Sequence, residues 1–367
     1  MVKSVSMLCC GAALRASTHL PFWAYARLLK NRKMEAKRQP LPVTILSGFL
    51  GSGKTTLLNR ILEGVPEDSR IAVLENELGG VPVDDALLAA ADPARLDTVL
   101  GRSCCETRTE FIAKLRSVAA ASQDFDRLII ESTGVAHPGM LAHAFLADPV
   151  LKRAFRIDGI VTVVDAEHFS LHEGGDGHAT EQVAYADALV VNKRDLVAPA
   201  ALEKLLADLR RINALARYYV TEHAAAPVAE LLDLGGFDLS RIEHGVGGCH
   251  SFMARKTGDK HGHHHEIATV ALRLDGRYDI ARFRAWIEGF IRDHADRLYR
   301  AKGVIALADK AERLVFHGVH GRFQAAFAQP WAPGETPESR LVFIGRELDR
   351  AAIEAGLSTC KAAPTVV

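Results

Sequence analysis

From residue 41 to about 235 the chain alternates short apolar runs with helical patterns. The runs at 42–47, 71–75, 96–100, 127–131, 158–165, 188–192 and 217–221 predict strands, and the patterns at 54–63, 106–121, 138–147 and 199–213 predict helices between them. Ile71–Leu74 and Ala188–Val191 are apolar at every position, as strands covered on both faces are. Strand and helix in alternation imply an α/β fold, a doubly wound and mostly parallel sheet with its site at the carboxyl ends of the strands. The pattern breaks at 237–265, where Gly245, Gly247, Gly248 and Gly258 precede a histidine run, and a linker is expected. Beyond it, strands at 267–274, 303–308, 312–319 and 340–345 and helices at 279–294 and 347–358 predict a second, smaller α+β domain with helices on one face of an antiparallel sheet. The expected boundaries are 41–236, 237–265 and 266–360, with a tail at 361–367.

Residues 1–40 follow neither pattern. Lys3, Arg15, Arg27, Lys30, Arg32, Lys33, Lys37 and Arg38 face a single acid, Glu35. Such a basic, acid-poor leader is read as disordered or as sequence ahead of a true start at Met34, and the protein is then expected in the cytoplasm. The alternative is an organelle transit peptide. Either way the leader is set apart from the fold. The chain carries 45 basic and 45 acidic residues, so no global charge points to nucleic acid or a membrane surface. No apolar run reaches the length of a membrane span. Six cysteines in 367 residues, with adjacent pairs at Cys9-Cys10 and Cys104-Cys105, fit a reducing compartment better than a disulfide framework.

The chemistry starts between the first strand and the first helix, at Gly48-Phe49-Leu50-Gly51-Ser52-Gly53-Lys54-Thr55. This G-x-x-x-x-G-K-T run, strand before and helix after, is a P-loop. Gly48, Gly51 and Gly53 let backbone amides curl around phosphate oxygens, and the helix start, from Ser52 to Thr56, adds its partial positive charge. Lys54 is expected on the β- and γ-phosphates and the Thr55 hydroxyl on Mg²⁺. Asn192-Lys193-Arg194-Asp195 directly follows a strand and matches the N-K-x-D guanine reader, in which the carboxylate accepts from guanine N1–H and the 2-amino group. The strand 127–131 ends in Glu131, placed to serve Mg²⁺ or orient the attacking water, or else simply to cap the next turn. Gly134 would let backbone approach the γ-phosphate. Glu75-Asn76-Glu77 ends the second strand, next to the P-loop strand or one removed, and can serve a metal, a water or a γ-phosphate sensor.

With these motifs in hand, the chain resembles the CobW family of P-loop GTPases. The ordered matches are GFLGSGKTT at 48–56, ENELG at 75–79, Cys104-Cys105, ESTGVAHP at 131–138, NKRD at 192–195, the histidines at 261–265, and Arg300-Ala301-Lys302-Gly303, Pro330-Trp331 and Phe343-Ile344-Gly345-Arg346. The resemblance covers about 41–360. It implies a slow, Mg-dependent GTPase domain, a CobW carboxyl-terminal domain and a role in managing zinc, cobalt or another transition metal. Two departures stand out. The family's Cys-x-Cys-Cys has Arg102 in its first position here, and Gly80 stands where an acid often follows.

From pattern alone Cys104 and Cys105 read as small hydrophobes at a turn; the resemblance makes them soft ligands for Zn²⁺ or Co²⁺. Two thiolates need further ligands, with Glu75 first in line and Glu77 second. His261, His263, His264 and His265 are a loose metal-binding tract or a solvated linker. His317 and His320, three apart on an expected strand, are read as structural residues on opposite faces, and Cys360 receives no role. The leading expectation is a GTP-hydrolysing metallochaperone. The partners expected are GTP, a transition metal and a metalloprotein client, with a homodimer left open and neither nucleic acid nor membrane among them. A GTP-gated, client-activating protein without metal cargo is the alternative, favoured by Arg102. An ATP-dependent kinase is disfavoured by Asn192–Asp195.

Overall fold

The computed structural model describes residues 39–76, 108–134, 137–169, 177–237 and 267–363, and Leu41–Val367 is one compact unit. The first sheet contains β1 (Leu41–Gly48), β2 (Ile71–Asn76), β3 (Arg127–Ser132), β4 (Phe155–Asp165), β5 (Ala188–Asn192) and β6 (Arg217–Val220). Their order is β2-β3-β1-β4-β5-β6, and each neighbouring pair is parallel. The chain leaves β1 for one side of the sheet and later crosses to the other. That switch opens the crevice at the carboxyl end of β1.

Continuous apolar strands follow from two covered faces. Val43 and Ile45 of β1 join a core with Phe111, Leu115 and Leu141, which belong to α2 (Arg108–Ala120) and α3 (Pro138–Ala147). Leu46 joins the opposite core with Leu57, Leu58 and Ile61 of α1 (Lys54–Gly64). Each of those three side chains is fully buried, contributing about 1.5–3 kcal/mol. Proline starts α3, α4 (Pro149–Ala154) and α6 (Pro199–Ile212), where its missing N–H costs nothing. Asp148 caps α4 by accepting from the amides of Val150 and Leu151. Between α4 and α6 in sequence lies α5 (His178–Tyr185), and α7 (Val228–Leu231) follows β6.

The second sheet holds β7 (Ile267–Leu274), β8 (Leu298–Ala306), β9 (Glu312–Val319), β10 (Arg322–Pro330) and β11 (Ser339–Arg346), ordered β10-β9-β8-β11-β7 and antiparallel throughout. Phe283, Ile287 and Ile291 of α8 (Ile280–Asp293) and Ile353 and Leu357 of α9 (Arg350–Ser358) share a core with Leu272, Phe316 and Phe343 of the sheet. Asp279 and Asp349 cap the two helices.

Several expectations need correction. The strand expected at 303–308 begins five residues earlier, at Leu298, because Tyr299, Arg300 and Lys302 are buried strand residues despite their polarity. The helix expected from 347 begins at Arg350, where the Asp349 cap sets its start. The sequence did not announce α5 or the edge strand β10. His317 and His320 do not sit on opposite faces of one strand, since β9 ends at Val319 and His320 turns left-handed (φ 45°) into Gly321. Its Nδ1 lies 3.0 Å from the Tyr185 hydroxyl, while the His317 ring packs edge-on to Phe237 at 4.6 Å. The strand expected at 96–100, residues 1–38 of the expected leader and residues 238–265 of the expected linker lie outside the described residues.

The two sheets meet across a buried charge cluster. Asp187, just before β5, accepts from Arg300 at 2.7 Å and Lys302 at 3.2 Å, two residues apart on β8. Its other oxygen accepts from the Ile160 amide, and Arg300 also donates to the Tyr185 carbonyl. Thr269 of β7 adds a hydroxyl bond to the Ile212 carbonyl at 2.8 Å. No helix among the described residues is long and apolar enough to cross a membrane.

Candidate functional site

The loop between β1 and α1 occupies the end of the crevice. Gly48, Gly51 and Gly53 adopt φ of 139°, 74° and 108°, which L side chains rarely take. A Cβ on Gly53 would also stand 2.6 Å from Asn192 Nδ2. Ser52 is buried, Thr56 is exposed, and Leu50 projects at 82% exposure beside the loop. Lys54 is only 8% exposed and donates to the Phe49 carbonyl at 3.1 Å, so its charge is held over the loop's own oxygens. Thr55 Oγ1 donates to Glu131 Oε1 at 2.9 Å, which brings the first turn of α1 to the end of β3.

Gly134 lies three residues beyond Glu131. A Cβ there would come within 2.7 Å of the Leu50 amide, so glycine is what allows this segment to touch the P-loop. Its carbonyl accepts from Gln182 of α5 at 2.9 Å. Glu75 is in ladder register with Glu131, one strand further from β1. That settles the alternative left by the sequence: β2 is one removed from the P-loop strand, with β3 between. Glu77, Arg102, Cys104, Cys105, His261, His263, His264 and His265 lie outside the described residues.

The Asn192–Asp195 turn is built into the same scaffold. Asn192 Nδ2 donates to the Ser52 carbonyl at 3.0 Å, and Asn192 Oδ1 accepts from the Ala224 amide at 2.7 Å and from the Thr221 hydroxyl. One buried amide thus ties the P-loop to the loop after β6. That loop bends sharply, with His223 and Ala224 at φ 50° and 55°, and Arg60 of α1 donates to the His223 carbonyl. Lys193, also left-handed at φ 61°, donates to Asp165 at 2.7 Å. Burial raises the Asp165 carboxyl, and hydrogen bonds from Lys193 and His168 outweigh it, leaving its pKa below the ordinary value. Asp195 is exposed at the rim.

Asp165 and the 221–225 loop were not read from the sequence. A signal existed for Asp165, the acid ending an apolar strand as Asn192 does, and the two are register partners. Nothing local marks Ala224, whose contribution is a backbone amide.

The arrangement offers curled backbone amides, a buried lysine, a hydroxyl against a carboxylate and a separate polar turn. That is the equipment for holding a nucleoside triphosphate by its phosphates and its base. Comparison with known proteins agrees. The model of the CobW/HypB/UreG nucleotide-binding domain matches residues 42–220, and that of the cobalamin synthesis protein cobW C-terminal domain matches 267–361. The zinc chaperone YjiA of Escherichia coli K12 is 34% identical over 323 residues, covering 87% of this chain and 98% of its own. The zinc-regulated GTPase metalloprotein activator 1 of Schizosaccharomyces pombe is 30% identical, over 85% of this chain and 84% of its own. The crystal structure of Zn(II)-bound YjiA GTPase from E. coli superposes with a TM-score of 0.68 at 32% identity, covering 89% of this chain and all of that one. With both domains matched in order along most of its length, this chain belongs to the CobW family of P-loop GTPases.

Proposed function

We propose that the chain is a GTP-hydrolysing metallochaperone that carries zinc, or cobalt in its place, to a metalloprotein client. The names of its relatives support zinc and GTP. In this reading the amides of the loop from Gly48 to Gly53 and the first turn with Thr56 cradle the phosphates, and Lys54 neutralises their charge. Thr55 and Glu131 are hard oxygen donors of the kind Mg²⁺ accepts, and the ion when bound supplies further charge neutralisation at the phosphates. Glu131 also holds the attacking water in line, and Gly134 gives the backbone access to the γ-phosphate. Asn192 and Lys193 stiffen the base-reading turn and Asp195 reads guanine.

One observation carries the link to metal. Glu75, the first-choice carboxylate ligand, is the ladder partner of Glu131, whose side chain already holds Thr55. A change at the phosphate end of β3 is therefore felt one strand away, where Glu75 would complete a site with Cys104 and Cys105. Two thiolates and a carboxylate suit a borderline-soft ion and leave a fourth position for water or a client's ligand.

The test is zinc titration of the reduced full-length protein with and without a non-hydrolysable GTP analogue. Changing both Cys104→Ser and Cys105→Ser should remove the nucleotide-responsive zinc and leave GTP binding intact. Retention of that zinc in the double variant would rule out the cysteine pair as the cargo site and favour the client-activating alternative. A second expected outcome concerns the base. Asp195→Asn exchanges a charged acceptor for an amide and should weaken GTP binding by about 1.5–3 kcal/mol, roughly 10- to 150-fold. Xanthine nucleotides should gain, because the amide can donate to the extra carbonyl. An unchanged GTP-to-XTP affinity ratio would place base reading elsewhere.

A further inference from the structure

Three side chains that the nucleotide site does not use converge at the seam between the two sheets. His137 stands immediately before α3, three residues beyond Gly134, and its side chain makes no capping bond to the helix. His178 and Glu181 sit on α5 at i and i+3, hence on one face of the helix. One candidate ligand atom from each of the three lies within 4.8 Å of the others. His137 Nδ1 is 2.8 Å from Glu181 Oε2, and the two imidazole rings meet edge-on with centroids 4.7 Å apart.

The carboxylate is held in place from the far side. Glu181 Oε1 accepts from the Tyr299 hydroxyl at 2.8 Å and from Arg346 at 2.9 Å, both on the second sheet. Its rotation is thereby fixed with Oε2 turned to His137. Outer-shell bonds of this kind orient ligating carboxylates in metal sites.

We propose that His137, His178 and Glu181 form a second binding site for a divalent transition ion of the zinc class, separate from Glu75 and the cysteine pair. Two imidazoles and a carboxylate are a donor set that zinc and its neighbours accept and that Mg²⁺ and Ca²⁺ do not favour. Zinc holds nitrogen and oxygen ligands at about 2.0–2.2 Å, which sets tetrahedral donors about 3.3–3.6 Å apart. The cluster brackets that spacing, and the contact between His137 and Glu181 needs to open by less than 1 Å, or about one side-chain adjustment. Three protein ligands leave a fourth position open. The His137 side chain is 36% exposed, so an ion reaches the site from solvent. The site stands whether or not the cysteine pair carries cargo.

The experiment uses the full-length protein with Cys104→Ser, Cys105→Ser and alanine at His261, His263, His264 and His265, which removes the cysteine pair and the histidine tract, while the other candidate group among the described residues, Asp165, Glu167 and His168, stays the same in every variant. Co²⁺ serves as the optical probe and Zn²⁺ as its competitor. The expected result is one Co²⁺ per chain with d–d bands and no thiolate charge-transfer band, displaced by Zn²⁺. Adding His178→Ala or the isosteric Glu181→Gln should each weaken Co²⁺ at least tenfold, with GTP binding confirming that each variant is folded. Absence of the bound Co²⁺ in the parent, or equal affinity in parent, His178→Ala and Glu181→Gln, would overturn the proposal and leave His137–Glu181 as an ion pair only.

Discussion

Lys54→Ala should lower the rate of GTP hydrolysis by about three orders of magnitude and greatly weaken nucleotide binding. The lysine sits at the first turn of α1, almost enclosed, with its ammonium over the loop carbonyl of Phe49. A unit charge about 4 Å from a phosphate oxygen in such surroundings is worth about 4 kcal/mol, which is about 10³ in rate if the interaction is fullest in the transition state. The substitution should not unfold the helix, since alanine is the best helix former. Lys54→Arg should not restore activity, because a planar guanidinium cannot replace a compact ammonium in a closed loop. Turnover near that of the unaltered protein would contradict the P-loop assignment. Single-turnover hydrolysis with nucleotide affinity measured separately resolves the two effects.

Asp187→Ala has the largest effect expected on stability, a loss of about 3–5 kcal/mol. The residue is buried with both partners, and Arg300 and Lys302 converge on one of its oxygens. Removing the carboxylate strands two cations inside the junction of the two sheets and also leaves the Ile160 amide without its acceptor. Burial raises the Asp187 carboxyl, but the Arg300 and Lys302 charges and the Arg300 hydrogen bond outweigh it and hold the pKa well below the carboxylate range. A carboxyl depressed by folding contributes stability above its unfolded pKa and loses it as pH falls towards the folded value. The difference between Asp187→Ala and the parent should therefore shrink in strong acid. Urea unfolding at neutral pH checks the magnitude, and a loss below about 1 kcal/mol would mean that the cluster is solvated. Adding Lys302→Met to Asp187→Ala should recover part of the loss, since it removes one of the stranded charges.

What the sequence disclosed was local in character. The P-loop could be read because its glycines, lysine and threonine are contiguous and flanked by clear strand and helix patterns. The parallel sheet could be read because β1, β2 and β5 are apolar on both faces. The edge strand β10 escaped because Arg322–Pro330 is built from alanine, glutamine and two phenylalanines, with weak strand preference and an exposed face. Helix α5 escaped because its eight residues are followed within two positions by the apolar start of β5. Missing α5 also hid His178 and Glu181, whose i, i+3 spacing means nothing until a helix is assigned. Asn192 was identified as part of a motif, but its task of joining Ser52 to Ala224 depends on chain returning from 29 and more residues away. The buried Asp187–Arg300–Lys302 cluster was illegible for the same reason: Asp187 precedes a strand and its two partners lie in another more than 100 positions distant.

The central claim is that nucleotide and metal communicate through the paired ends of β2 and β3. The most direct measurement is the Zn²⁺ dissociation constant of the reduced full-length protein with a GTP analogue and with GDP, together with the affinities of both nucleotides with and without Zn²⁺. Linkage requires the two ratios to be equal, since each ligand can shift the other only by the free energy they share. The account predicts a common ratio of about fivefold or more, abolished by Cys104→Ser with Cys105→Ser. A ratio of one, with zinc bound equally in both nucleotide states, would contradict it.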